Sequence, residues 1–283
     1  MTNTVILPKR IGITCKGRPE DLAVVRQLVA ALEDQIAIVL DETTAAKLLQ
    51  HGTRIAEMDV DLLVCVGGDG TILRSLHAVK STTPVVGINT GAIGFLAEVQ
   101  PEASVATLTS LVQGFEVGPR ERLAVTISGK AETMPYAMNE VVAITSRPGK
   151  LLHFGIFVDG EELERLRADG VIFATPTGST AYAMSAGGPI VDPGVNATII
   201  VPIAPFKLSA RPTVVDIESK IGFQLLEEKA AELVIDGQFY RAISKEERIN
   251  VTRGEPAFFV KRGDKHFLKL RHKLRVEDAR EIA

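Results

Sequence analysis

The chain lacks what a disulfide-stapled, membrane-spanning or nucleic-acid-coating protein needs. Two cysteines in 283 residues cannot make a disulfide framework, and they lack the Cys and His spacing of a zinc site. Cys15 and Cys65 each lie inside a β-branched apolar run, which reads as a pair of small core residues in a reducing compartment. Basic charge is not in excess: 32 Lys and Arg against 35 Asp and Glu give a formal charge of −3, so there is no sign of the basic face of a general nucleic-acid binder. No apolar run approaches the ~20 residues of a membrane span, and the opening MTNTVILPKRIGITCKG has no signal-peptide form. The expectation is a soluble, cytoplasmic protein without nucleic-acid or membrane partners. With 46% hydrophobic and 24% charged residues, the balance is that of a globular chain with one large domain or two smaller ones.

Two textures follow one another. Over the first hundred residues, apolar runs alternate with helical stripes: RIGITC, then PEDLAVVRQLVAALED with Leu22, Val25, Leu28, Val29 and Leu32 on one face. IAIVL, LLVCV and PVVGIN continue the strands, with helical segments between them. Strands apolar on both faces and separated by helices predict a parallel sheet covered by helices, with ligands beyond the carboxyl ends of its strands. After residue 118, period-two segments and turn signals take over. LLHFGIFVDGEEL turns at Asp159-Gly160 and ELVIDGQF at Asp236-Gly237, both hairpin signals. VIFAT, NATIIVPIA, TVVDI, RINVT and AFFVK add strands to a β-rich, sandwich-like set. The expected domains are an α/β nucleotide-binding domain at 1–118 and a β-rich domain at 119–257. Residues near 100–118 form the link, and the basic, more helical tail 258–283 returns to the first domain.

The segment LLVCVGGDGTILRS puts an aspartate between glycines at the end of a buried strand. Glycine lets a ligand approach the backbone, and N–H groups at the start of the following helix suit phosphate oxygens. Gly67, Gly68, Gly70 and Thr71 therefore read as a phosphate loop. Asp69 cannot bind phosphate, since like charges repel; it acts on a metal ion beside the phosphate or on a hydroxyl that loses its proton. That pairing belongs to phosphoryl transfer onto an alcohol. The bland reading is a helix-capping turn. A second string, Gly12-Ile-Thr-Cys-Lys-Gly17, has Walker A glycine spacing without the Lys-Ser/Thr that reaches phosphate and metal, and carries no role.

In DGVIFATPTGSTAYAMSAGGPIV, Thr175, Thr177, Ser179 and Thr180 gather hydroxyls round Gly178, and Tyr182 offers an aromatic face to a purine or ribose. Asn139 and Glu140 supply the amide and carboxylate needed to read a base edge and ribose hydroxyls. The plain alternatives are a polar turn before a helix near Ala181 and a surface dipeptide. This long segment closely resembles the NAD kinase family. GGDGTILR, GINTGAIGFLAE, RERLAV, IAPFKLSARPTVV and LVIDGQ agree with that family in order and approximate spacing.

The resemblance implies transfer of the terminal phosphoryl group of ATP or polyphosphate to the 2′-hydroxyl of the adenosine ribose of NAD. Mg²⁺, or another divalent cation, would come with ATP, and no protein metal site is expected. It implies Asp69 as general base, with Asp69 and Gly70 touching the dinucleotide. Asn139, Glu140 and the run Thr180, Ala181, Tyr182, Ala183, Met184 and Ser185 would hold the adenosine half. Thr177, His153, Arg167, Asp169, Ala204 and Gln238 match further contact positions. His153 lies out of phase with the apolar face of its strand, so it can point at a ligand or simply at solvent. Arg74, on the first helical turn, and Lys150 could meet phosphate or be solvated. Phe206 stands where relatives often carry histidine. The family further implies a homodimer or homotetramer with sites completed across subunits. A soluble lipid or sugar kinase sharing GGDGT would explain residues 67–71 but not TPTGSTAY, and a non-catalytic dinucleotide sensor does not explain an intact Asp69.

Overall fold

Four short apolar runs, each cut off by a turn residue, set the frame of the first unit. In the computed structural model, which describes residues 5–91, 94–261 and 270–271, they become the strands Arg10–Cys15, Ala37–Leu40, Leu62–Gly67 and Val85–Asn89. These four pair in parallel, with Leu62–Gly67 between Arg10–Cys15 and Val85–Asn89. Helix Pro19–Leu32 starts on a proline, whose fixed φ suits the first helical turn, and buries Val24, Val25, Leu28 and Leu32. Both cysteines are buried and unpaired, and burial pushes the Cys65 thiol up to about 12, so neither is a nucleophile at neutral pH.

The sheet departs from the all-parallel expectation. Phe115–Arg120 joins it beside Ala257–Val260, and Val5–Ile6 pairs antiparallel to Phe115–Arg120 at the edge. The stretch read as a link contains the helix Ser104–Val112 and this strand. AFFV, grouped in sequence with the β-rich segments, lies instead in the first sheet, parallel to Val85–Asn89. Apolar alternation marks a buried strand but does not say which sheet it enters. The chain thus forms two units, one from the described residues through Pro119 together with those from Ala257 on, the other Arg120–Pro256. Most of the basic tail lies outside the described residues; Leu270 and Arg271 are helical.

The second unit is a sandwich of two antiparallel sheets, as its period-two texture predicts. Five strands run in the order Glu161–Ala168, Leu152–Val158, Ile221–Leu225, Arg248–Arg253 and Leu123–Ile127. Six run in the order Thr213–Asp216, Ala197–Ile203, Gly170–Ala174, Glu140–Thr145, Ala231–Ile235 and Phe239–Ile243. Their facing side chains share one core, centred on Phe154, Phe173 and Phe223, whose rings lie 5.2 and 6.5 Å apart. The outer face of the six-stranded sheet packs Ile172, Ile199 and Val201 against Ala183 of the short helix Tyr182–Ser185. Both Asp-Gly signals are hairpin turns, with φ of 52° and 90° at Asp159-Gly160 and 50° and 61° at Asp236-Gly237.

One ion cluster ties this sandwich together. Glu247, 7% exposed, accepts two bonds from the Arg241 guanidinium at 2.8 and 3.0 Å and one from the Ser244 N–H at 3.0 Å, and Lys130 closes the cluster. The Arg241 bonds hold the Glu247 carboxyl down at about 2. A carboxyl with a lowered folded pKa stabilises fully above its unfolded value of about 4.3 and loses that contribution as pH falls through the folded one. Glu247→Gln is therefore expected to lower stability by roughly 2–3 kcal/mol at pH 7. In urea melts the gap between wild type and variant should close between pH 5 and pH 2. A gap independent of pH would mean the charge is not the cause.

Candidate active site

Each unit carries its own group of candidate residues. In the first, Leu62–Gly67 is buried throughout, and the helix begins at Asp69, two residues earlier than the periodicity starting at Thr71 shows. Gly67 has φ of 152°, and a Cβ there would stand 2.3 Å from the Thr71 hydroxyl. Gly68 and Gly70 have none of the described residues within 4 Å of an added Cβ. The exposed N–H end of helix Asp69–Leu76 is thus accessible from the side the glycines leave bare.

Asp69 is tied to a neighbouring segment of the chain. Its carboxylate accepts the N–H of Phe95 at 2.7 Å and those of Leu96 and Ala97 at 3.0 Å, and so clamps the second glycine-rich segment. Gly94 is part of the fit, since a Cβ there would come within 2.1 Å of Asp69 Oδ1. A carboxylate has about four lone-pair directions, so one remains for a ligand hydroxyl. Arg74 is exposed and donates to the Cys15 carbonyl at 3.3 Å. A group not foreseen from sequence lies at the same sheet edge. Buried Asp21 accepts from Arg18 and from Thr90, at 2.9 and 2.5 Å. Burial alone would raise the Asp21 carboxyl, but these bonds outweigh it and hold it below the usual range. In sequence Asp21 reads as an ordinary first-turn acid.

In the second unit, Asn139 and Glu140 enter the six-stranded sheet beside the 3-10 turn Thr177–Thr180. The turn lies directly on the pair: a Cβ on Gly178 would stand 2.0 Å from the Asn139 carbonyl oxygen. Three of the four hydroxyls donate within the turn or to the segment beneath it. Thr175 donates to the Met138 carbonyl at 2.7 Å, Ser179 to the Pro176 carbonyl at 2.6 Å, and Thr180 to the Thr177 carbonyl at 3.3 Å. The Thr177 hydroxyl is not among them. Tyr182 is 40% exposed and Ala183 buried; Ala181 and Met184 are half-buried, and Ser185 is exposed. Glu140 is 7% exposed and its Oε2 is buried without a hydrogen-bond partner. Burial first, then the Asp236 charge, raise its carboxyl to about 8, against the pull of the Tyr182 N–H.

The remaining residues fall into a second group. Ala174 pairs with Glu140 at one end of the Gly170–Ala174 strand, while Gly170 pairs with Ile144 and Ile203 at the other. Asp169 and Ala204 therefore lie at the far end from Glu140, roughly 16 Å away at ~3.3 Å per residue. Asp169 bonds the Ile203 carbonyl at 3.0 Å, and Ala204 has φ of 44°. Arg167 pairs in register with His153, and both approach Glu227, at 3.9 and 3.0 Å. The Phe206 N–H bonds the Arg167 carbonyl at 2.8 Å, so this loop belongs with them. Lys150 is exposed in a turn, and Gln238 is exposed in the Asp236-Gly237 hairpin.

Residues 13–115 match the ATP-NAD kinase N-terminal domain and residues 138–262 the ATP-NAD kinase C-terminal domain. The NAD kinase of Methanosarcina mazei is 43% identical over 92% of this chain and 91% of its own. That of Methanothermobacter thermautotrophicus is 43% identical over 94% and 96%. Among solved structures, an NAD kinase from Archaeoglobus fulgidus in complex with ATP superposes with a TM-score of 0.80 at 36% identity, covering 94% of this chain and 98% of that one. Yeast NADH kinase complexed with NADH gives 0.81 at 26% identity, covering 92% and 85%. The chain belongs to the NAD kinase family.

Proposed function

We propose that this protein transfers the terminal phosphoryl group of ATP, or of polyphosphate, to the 2′-hydroxyl of the adenosine ribose of NAD, giving NADP. The observation that carries this is the bare side of Gly68 and Gly70 at the start of helix Asp69–Leu76, where phosphate oxygens can meet backbone N–H groups with a carboxylate alongside. Asp69 takes the proton of the attacking hydroxyl through its remaining lone-pair direction. Asn139, Glu140 and Tyr182 hold the adenosine, and Arg74 offers a charge to phosphate. Among the described residues no three His, Cys, Asp or Glu side chains gather to hold a metal. Mg²⁺ would come mainly with the donor's phosphates, since Mg²⁺ keeps its waters and takes few protein ligands.

We also read the far group, His153, Arg167, Asp169 and Ala204, as completing the site of a neighbouring protomer in a homodimer or homotetramer. Its separation from Glu140 along one strand supports that division. A cytoplasmic location agrees with two unpaired, buried thiols; no helix of the described residues is long and apolar enough to cross a membrane.

The test is incubation with ATP, Mg²⁺ and NAD⁺, read by an NADP⁺-specific dehydrogenase. Nicotinamide hypoxanthine dinucleotide, which lacks the purine amino group, should be a poorer acceptor by ~10² or more in kcat/KM, because it leaves a polar group of the site unpaired. Asn139→Ala should narrow that gap. Equal turnover of both dinucleotides by the wild type would remove Asn139 and Glu140 from purine recognition.

A further inference from the structure

A second carboxylate in this molecule holds three consecutive backbone amides as Asp69 does. Asp236, 4% exposed and at φ of 50°, accepts the N–H of Met138 and of Asn139 at 2.8 Å and that of Glu140 at 3.1 Å. Its own N–H returns a bond to the Glu140 carbonyl at 3.0 Å. Aspartate tolerates the left-handed conformation better than most residues but still at some cost, so the hairpin is bent where its side chain meets the amides. The bonds end on the two residues read as holding adenosine, and one of them carries the unpartnered, buried Glu140 Oε2.

Among the described residues, Asp236 is the charged side chain whose field acts on Glu140. The two neighbouring strands place Asp169 and Glu232 at their opposite ends, near Ile144. The adjoining turn contributes the Tyr182 N–H. The nearby cation Arg122 is itself buried; it donates to the Glu255 carbonyl at 2.7 Å and lies 4.8 Å over the Tyr136 ring. A negative charge fixed beside a buried acid disfavours ionisation of that acid.

We propose that Asp236 is a positioning residue for dinucleotide binding: it presents Asn139 and Glu140 to the ligand and adds to the burial that favours the acid form of Glu140, whose free oxygen donates to a ribose hydroxyl. This rests on the placement of adenosine at Asn139 and Glu140. A Glu140 carboxyl near 8 agrees with it: the acid form is the major one at neutral pH and is lost above it.

The experiment is the pH dependence of KM and kcat for NAD⁺ between pH 6 and pH 10. Wild-type KM should rise about tenfold per pH unit on the alkaline side. Glu140→Gln, a permanent neutral mimic, should flatten that limb. Asp236→Asn keeps an acceptor for the Asn139 and Glu140 amides but removes the charge, so the limb should begin about one pH unit lower, with the larger effect on KM rather than kcat. If Glu140→Gln keeps the wild-type limb, the adenosine placement itself is wrong. If Glu140→Gln flattens it but Asp236→Asn leaves it unmoved, the role given to Asp236 alone is overturned. Calorimetry of wild-type protein needs no variant: NAD⁺ binding should take up a fraction of a proton near pH 8.5 and none near pH 6. Absence of linked uptake at pH 8.5 would equally overturn the proposal.

Discussion

Asp69→Asn is expected to lower kcat by ~10²–10⁴, the usual size of a general-base contribution. The amide keeps the shape and one acceptor oxygen, which can still receive the Leu96 and Ala97 N–H groups on the Oδ1 side. It cannot take a proton. Its NH₂ also points at the Phe95 N–H, which the carboxylate accepts at 2.7 Å, so two donors would face each other. The variant therefore disturbs a loop as well as a proton acceptor, and two readouts separate the effects. Hydrogen exchange over residues 94–97 reports the clamp, and single-turnover kinetics report the chemical step. A loss of kcat with near-native exchange assigns Asp69 to proton transfer. A loss that tracks faster exchange assigns it to holding the segment. A kcat within tenfold of wild type would take Asp69 out of the chemistry.

Gly178→Ala should be the most damaging single methyl in the second unit. The added carbon would fall 2.0 Å from the Asn139 oxygen, 2.5 Å from its carbonyl carbon and 2.7 Å from its Cα. All three are backbone atoms of a segment fixed by Asp236 and by the Thr175 N–H at 2.9 Å, so no rotamer change relieves the clash. Overpacking of this kind costs ~1–3 kcal/mol or more, and at roughly 2–4 °C per kcal/mol for a chain of this size the midpoint should fall by about 10 °C. KM for NAD⁺ should rise more than tenfold at temperatures where the variant is folded. A stable variant with native KM would show that the turn does not bear on the Asn139–Glu140 pair.

Much of this architecture is legible in the residues. The parallel core follows from runs such as LLVCV, apolar on both faces, and the sandwich from alternation broken by Asp-Gly turns. AFFV reads as one more β-rich strand, although the tail from 258 is expected back on the first domain, because four apolar residues carry no address. The hydroxyls round Gly178 read both as ligand groups and as a polar turn, and only the structure shows their backbone partners. Thr175, Ser179 and Thr180 are suited to ligands by chemistry, but in a buried turn the nearest backbone groups claim them first. The buried carboxylates were the least legible. Asp21 looks like a helix-start acid and Asp236 like a hairpin residue, and both descriptions are true. Their further partners, Thr90 and the Met138–Glu140 amides, are 69 and about 98 residues away in sequence, and no local pattern records that distance. The separation of Asp169 from Glu140 was hidden for the opposite reason: strand length was visible, but the register that converts it into distance was not.

That register makes the Gly170–Ala174 strand a ruler. Its five residues are buried throughout and paired on both sides, with Glu140–Thr145 and Ala197–Ile203, so it can neither stretch nor slip without turning core side chains outward. Loops at its two ends can change in length and composition while the interval between the ends stays the same. The interval between the Glu140 end and the Asp169 end is therefore written into a strand, and is as rigid as the core.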